Sequence, residues 1–63
     1  MEKQEYFKKS ADGCADYEAR QAAAGNWVID VETYDNSFTY WGADTFEECC
    51  KIINELAANN EYN

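Results

Sequence analysis

The chain has no histidine and no proline, and only three glycines, three cysteines and five cations among its 63 residues. Each scarcity excludes something. Without histidine, imidazole-based acid–base and nucleophilic arrangements have no centre to form on. Cys14, Cys49 and Cys50 are odd in number, a poor basis for a disulfide framework, and alone they fall short of the ligand set of a structural zinc site. They are expected to be reduced and to serve as small core residues. No P-loop, G-x-G-x-x-G or G-x-S-x-G motif is present, so the common phosphate-binding and hydrolase arrangements are also missing. No apolar run approaches the ~20 residues of a membrane span. The opening MEKQEYFKK lacks the apolar region of a signal peptide, so a cytoplasmic location is expected.

What is present argues for folding. The chain is 46% hydrophobic and 16% aromatic, too rich for a disordered acidic tail. Residues 1–63 are expected to form a single domain. At this size roughly 60% of the unfolded chain's surface can be buried, which leaves stability marginal. The formal net charge is −8. It is unevenly spread: from Asn26 on, Asp30, Glu32, Asp35, Asp44, Glu47, Glu48, Glu55 and Glu61 are opposed only by Lys51, whereas residues 1–25 are nearly balanced. Such an acidic pole repels nucleic acid and anionic membranes and attracts basic surfaces.

The clearest element is the last. Thr45-Phe46-Glu47-Glu48 matches an S/T-x-x-E capping box ahead of an apolar stripe of Phe46, Cys49, Cys50, Ile53, Leu56 and Ala57, and Asn59-Asn60 supplies a stop. Before it, Trp27 to Tyr34 and Phe38 to Trp41 alternate and are rich in aromatic and β-branched residues, which predicts a β-hairpin with its turn at Asp35-Asn36. Trp27, Ile29, Val31, Thr33, Phe38 and Tyr40 then share one face, and Val28, Asp30, Glu32, Tyr34, Thr39 and Trp41 the other. The N-terminal third, rich in alanine and with Glu5/Lys9 and Asp16/Arg20 at helical spacing, predicts a helix from about residue 3 to 24, with Gly25 ending it. Gly13 is its weak point: a break near Ser10 to Gly13 would leave Glu5 to Lys9 as an extra strand. The expected fold is a small α+β domain of order α-β-β-α, with both helices on one face of the sheet and Phe7, Ala11, Cys14 and Ala22 turned towards it.

Neither catalysis nor a resident cofactor or metal is expected. Glu47 and Glu48 have a structural reason to sit in a helix first turn, and the Asp30 to Asp35 segment lacks the glycine and distant glutamate of an EF-hand loop. The candidate site is a partner-binding surface of Asp30, Glu32, Tyr34, Asp35 and Trp41 on the hairpin, with Asp44, Glu47 and Glu48 at the helix start. Tyr and Trp act as anchors and carboxylates steer a basic partner. The expected function is therefore an inhibitor or adaptor that occupies a basic protein surface, including one that handles nucleic acid, without binding nucleic acid itself. In size and charge, though in no motif, the chain is similar to small phage inhibitors of restriction or CRISPR complexes, which act in the host cytoplasm. The alternative is a small homodimer assembled through the hairpin edge or the Trp41 face. Asp30 and Glu32 are the acids that local structure explains least.

Overall fold

Alternation, not helical periodicity, governs the first half of the chain. In a computed structural model that describes residues 4–62, strands β1 (Phe7–Lys9), β2 (Ala15–Gln21), β3 (Trp27–Thr33) and β4 (Ser37–Ala43) precede one helix, α1 (Phe46–Ala58). The strands form one antiparallel sheet in the order β1-β2-β3-β4. The architecture is thus β-β-β-β-α. This corrects the expected α-β-β-α order: among the described residues no N-terminal helix forms, and one helix rather than two packs on the sheet; residue 3, where that helix was expected to begin, lies outside the described residues.

The physical reason lies in Ala15 to Gln21. Read at period two, Ala15, Tyr17 and Ala19 point inward and are buried, while Asp16, Glu18 and Arg20 point outward. Intrinsic helix propensity is worth only tenths of a kcal/mol per alanine, and tertiary burial overrides it. The alanines serve another purpose here. Small side chains at Ala15 and Ala19 leave room for α1 and for the Tyr17 ring between them, which is fully buried. The Tyr17 hydroxyl donates to the Glu61 carbonyl at 2.7 Å, so its polar end is satisfied beside the helix terminus.

Two glycines punctuate the new strands. Gly13 and Gly25 have φ of 76° and 99°, and each amide closes a turn, onto the Ser10 and Ala22 carbonyls respectively, at 2.9 Å. Thus Gly25, expected as a helix stop, ends the β2–β3 turn. The break anticipated near Ser10 to Gly13 is the β1–β2 turn, which leaves Phe7–Lys9 as the extra strand. Of the side chains expected to face the sheet from an N-terminal helix, Phe7, Ala11 and Cys14 are exposed and Ala22 lies in a turn.

The C-terminal helix follows its capping box. Thr45 is the N-cap, its Oγ accepts the Glu48 amide at 3.3 Å, and Asn59 is the C-cap. Cys49, Ile53 and Ala57 are fully buried against Tyr17, Ile29 and Val31, and Trp27 meets Phe46 with ring centroids 4.9 Å apart. The three cysteines are unpaired: Cys49 is a core residue as expected, Cys50 is half-buried, and Cys14 is exposed instead.

The β3–β4 hairpin keeps its predicted faces but not its predicted turn. The Thr33 amide donates to the Asn36 carbonyl at 2.8 Å, so Tyr34 and Asp35 form the turn, not Asp35 and Asn36. Glu32 pairs with Ser37, Val31 with Phe38 and Ile29 with Tyr40. Moving a turn by one position shifts the pairing by two residues, an even number, and so leaves every side chain on its face. A bulge between Trp27 and Val28 then admits Gly42, where a Cβ would lie 2.6 Å from the Trp27 carbonyl oxygen and 2.9 Å from Cys49 Sγ.

Candidate functional site on the open face of the sheet

Because α1 covers one face of the sheet, the alternate residues of all the strands emerge on the other. Three cross-strand rows result. Phe7, Glu18, Asp30 and Thr39 make the first; Lys9, Asp16, Glu32 and Ser37 the second; Arg20, Val28 and Trp41 the third. Two carboxylate pairs therefore stand directly opposite each other across β2 and β3, Glu18 with Asp30 and Asp16 with Glu32. Like charges so placed destabilise a sheet.

Two cations offset part of this. Arg20 Nε and Nη2 donate to Asp30 Oδ2 at 2.6 Å and Oδ1 at 3.2 Å, a bidentate contact, and Thr39 Oγ donates to Oδ1 at 2.9 Å. The Arg20 hydrogen bond, with that of Thr39, holds the Asp30 carboxyl below its usual range and outweighs the opposing effect of burial. Lys9 Nζ lies 2.9 Å from Asp16 Oδ1. Glu18 and Glu32 hold no ion pair among the described residues. Asp30, which sequence leaves unexplained, thus has a local role in tying β2 to β3 and β4. Glu32 has none.

The four acids surround a shallow hollow of about 380 Å³ with Phe7 and Thr39 on its rim. Phe7 is 60% exposed, and Trp41, in the next row, is 67% exposed. Trp41 therefore projects into solvent and does not pack under the helix. Among the described residues no group of carboxylates and thiols gathers as a metal-binding cluster. Open, acidic and aromatic, the face suits contact with a macromolecular surface more than enclosure of a small molecule.

The other expected site residues do not join this patch. Tyr34, fully exposed, and Asp35 sit at the β3–β4 turn. Asp44, Glu47 and Glu48 lie past the opposite end of β4, where α1 begins. β4 has seven residues, so at about 3.3 Å per residue the two groups are roughly 20 Å apart. Asp30, Glu32 and Trp41 are the part of the prediction that the open face brings together. Sequence reading missed Phe7, Asp16 and Glu18, although the alternation of charge with Ala15, Tyr17 and Ala19 was the signal that places them there.

A second polar cluster has a structural function. Asp12, in the β1–β2 turn, accepts from Ser10 Oγ at 2.6 Å, from the Tyr62 hydroxyl at 2.6 Å and from the Cys14 amide at 3.0 Å. These bonds, that of Ser10 foremost, lower its pKa to about 2. Asn60 Oδ1 accepts the Asp12 amide at 2.9 Å, and the Ala11 amide donates to the Ala57 carbonyl at 2.9 Å. The turn is thereby tied to the end of α1. Tyr6, just before β1, donates to Asn54 Oδ1 on the same helix.

The chain matches no protein-family model, no curated protein and no solved structure. No helix among the described residues is long and apolar enough to cross a membrane.

Proposed function

We propose that this chain is a small non-catalytic binding protein, an inhibitor or adaptor, whose open sheet face occupies a basic surface of a partner protein. The observation that supports this most is the two pairs of opposed carboxylates across β2 and β3. The fold gains nothing from placing Glu18 opposite Asp30 and Asp16 opposite Glu32, and among the described residues only Asp16 and Asp30 are ion-paired. A partner that brings Lys or Arg to Glu18 and Glu32 relieves the repulsion, so the strain favours the complex. Phe7 and Trp41 supply apolar anchors on either side of the acids.

A surface that normally holds phosphates meets these requirements, because its cations are already arranged to contact spaced negative charges. Partners that handle nucleic acid are therefore the favoured class, and the chain would compete with nucleic acid for them. Asp44, Glu47 and Glu48 contribute long-range attraction from one end of the sheet and Asp35 from the other, where Tyr34 offers an exposed ring.

The test is the double variant Glu18→Lys/Glu32→Lys, compared with the unaltered chain in capture of proteins from cell lysate at low and high salt. The variant should keep its fold and gain stability, by roughly 0.2–1 kcal/mol for each like-charge pair it converts to an opposite-charge pair. The salt-sensitive, nucleic-acid-competed fraction should disappear. Capture of the same proteins by both chains would refute the reading.

A further inference from the structure

The two edges of the sheet are unlike. β1 is three residues long and carries Lys8 and Lys9, the usual devices that keep an edge from pairing. β4 is seven residues long and uncharged throughout, Ser-Phe-Thr-Tyr-Trp-Gly-Ala. Its outward backbone groups follow from the ladder. The Thr33–Asn36 pair is hydrogen-bonded, so in alternating antiparallel pairing Val31–Phe38 and Ile29–Tyr40 are bonded as well. The amides and carbonyls of Ser37, Thr39 and Trp41 consequently point away from β3.

We propose that the β4 edge accepts an added strand: an extended segment of a partner in which Lys or Arg alternates with apolar residues. This rests on the basic-partner reading above and specifies its geometry. Side chains of an added strand on the open face would lie beside Ser37, Thr39 and Trp41. Ser37 and Thr39 are short and are themselves opposite Glu32 and Asp30, so a long cationic side chain can cross the one intervening strand, about 10 Å for two strand spacings, to the acids. Trp41 offers a ring face to a cation at the end of the row. On the helix side, the half-buried rings of Phe38 and Tyr40 line the edge for the apolar alternates.

Charge selects this occupant over a second copy of the chain. Two β4 strands paired antiparallel about Thr39 would set Asp44 of one copy beside Tyr34 and Asp35 of the other, at both ends of the joint. A basic strand meets acids at those same places and is favoured there.

The test uses a short peptide alternating Lys and Val, its fully N-methylated form, and a Lys-Gly-Pro peptide of equal charge. The first should bind and slow amide exchange at Ser37, Thr39 and Trp41, and the other two should bind at least about tenfold more weakly because neither can complete a ladder. Thr39→Pro, which removes an outward amide, should weaken the first peptide similarly. The N-methylated peptide, tested on the unaltered chain, keeps the outcome independent of any effect of that variant on folding. Equal binding of all three peptides, or binding without protection of those amides, overturns the edge and leaves the acidic face standing. Unchanged binding to Glu18→Lys/Glu32→Lys, with the amides still protected, overturns the basic-partner reading and the choice of occupant. Dimerisation of the free chain that Thr39→Pro abolishes would assign the edge to a second copy instead.

Discussion

The two faces of one sheet are built from the same strands and obey different rules. On the covered face, Tyr17, Ile29 and Val31 are almost wholly buried and each is fixed by contact with α1 or its neighbours. On the open face, the alternate positions hold four carboxylates, two cations, Val28, Phe7 and Trp41, and packing dictates little of that choice. The difference separates what the fold requires from what it merely permits. Residues that are costly to keep and structurally unnecessary are where function is to be sought.

The contrast breaks most sharply by truncation in the covered layer. Ile29 has no exposed surface, and Ile29→Ala should cost about 2–5 kcal/mol in urea or thermal unfolding. For a domain this small that is much of its total stability. Glu32→Ala, three residues along the same strand but on the other face, should leave the midpoint unchanged or slightly raised, because it removes the repulsion with Asp16. If the two variants lost comparable stability, the open face would be part of the core's support.

Gly42 lies at the seam between the faces and should give the next largest effect. A methyl group there would meet the Trp27 carbonyl and Cys49 Sγ inside contact distance. The backbone carbonyl cannot rotate away, so Gly42→Ala should destabilise by about 1–3 kcal/mol, as overpacking does. A fluorescence change at Trp27 would accompany it. No loss of stability would mean that the bulge can open without disturbing the first turn of α1.

How much of this was legible in the sequence follows the same division. The helix from Phe46 and the faces of the β3–β4 hairpin were readable because capping and alternation there agree with local propensity. The N-terminal strands were not, because Ala15, Ala19 and Ala22 to Ala24 carry a helical preference while the burial of Tyr17 depends on partners far along the chain. Of the site, Asp30, Glu32 and Trp41 were readable from their own strands. Asp16 and Glu18 join them only through the pairing of β2 with β3, and Phe7 only through that of β1 with β2, which a helical reading of residues 3–24 forbids. Nor could sequence show that Arg20 crosses to Asp30, since it stands at helical spacing from Asp16.

Acid separates the carboxylates that the fold uses from those it does not. Asp12 has a folded pKa of about 2 against an ordinary 3.8. A depressed folded pKa contributes stability that is complete above the unfolded value and is lost as pH falls towards the folded one. Stability should therefore decline between about pH 4 and pH 2, and Asp12→Asn should flatten that limb while lowering the plateau at neutral pH. An unfolding midpoint series across this range checks both. A limb as steep in the variant as in the parent would assign acid sensitivity to other carboxylates.

Arg20→Gln should have the smallest effect on stability and the most informative one on the open face. The Arg20–Asp30 contact is solvent-exposed, with more than half of the arginine side chain accessible, and such pairs contribute little. What it does is lower the Asp30 pKa and neutralise one of the four acids. Without it the Asp30 pKa should rise, detectable by carboxyl NMR titration, and the portion of the acid limb below the ordinary aspartate value should weaken by the same sign argument. At neutral pH, however, Asp30 stays ionised and the hollow becomes more negative. Affinity for a Lys-rich peptide should then increase, and increase further at low salt. A variant that is slightly less stable yet binds cations better is the outcome expected if Arg20 serves the fold and the acids serve recognition. Weaker binding would show instead that the guanidinium, by holding Asp30 in place, is part of the recognition surface itself.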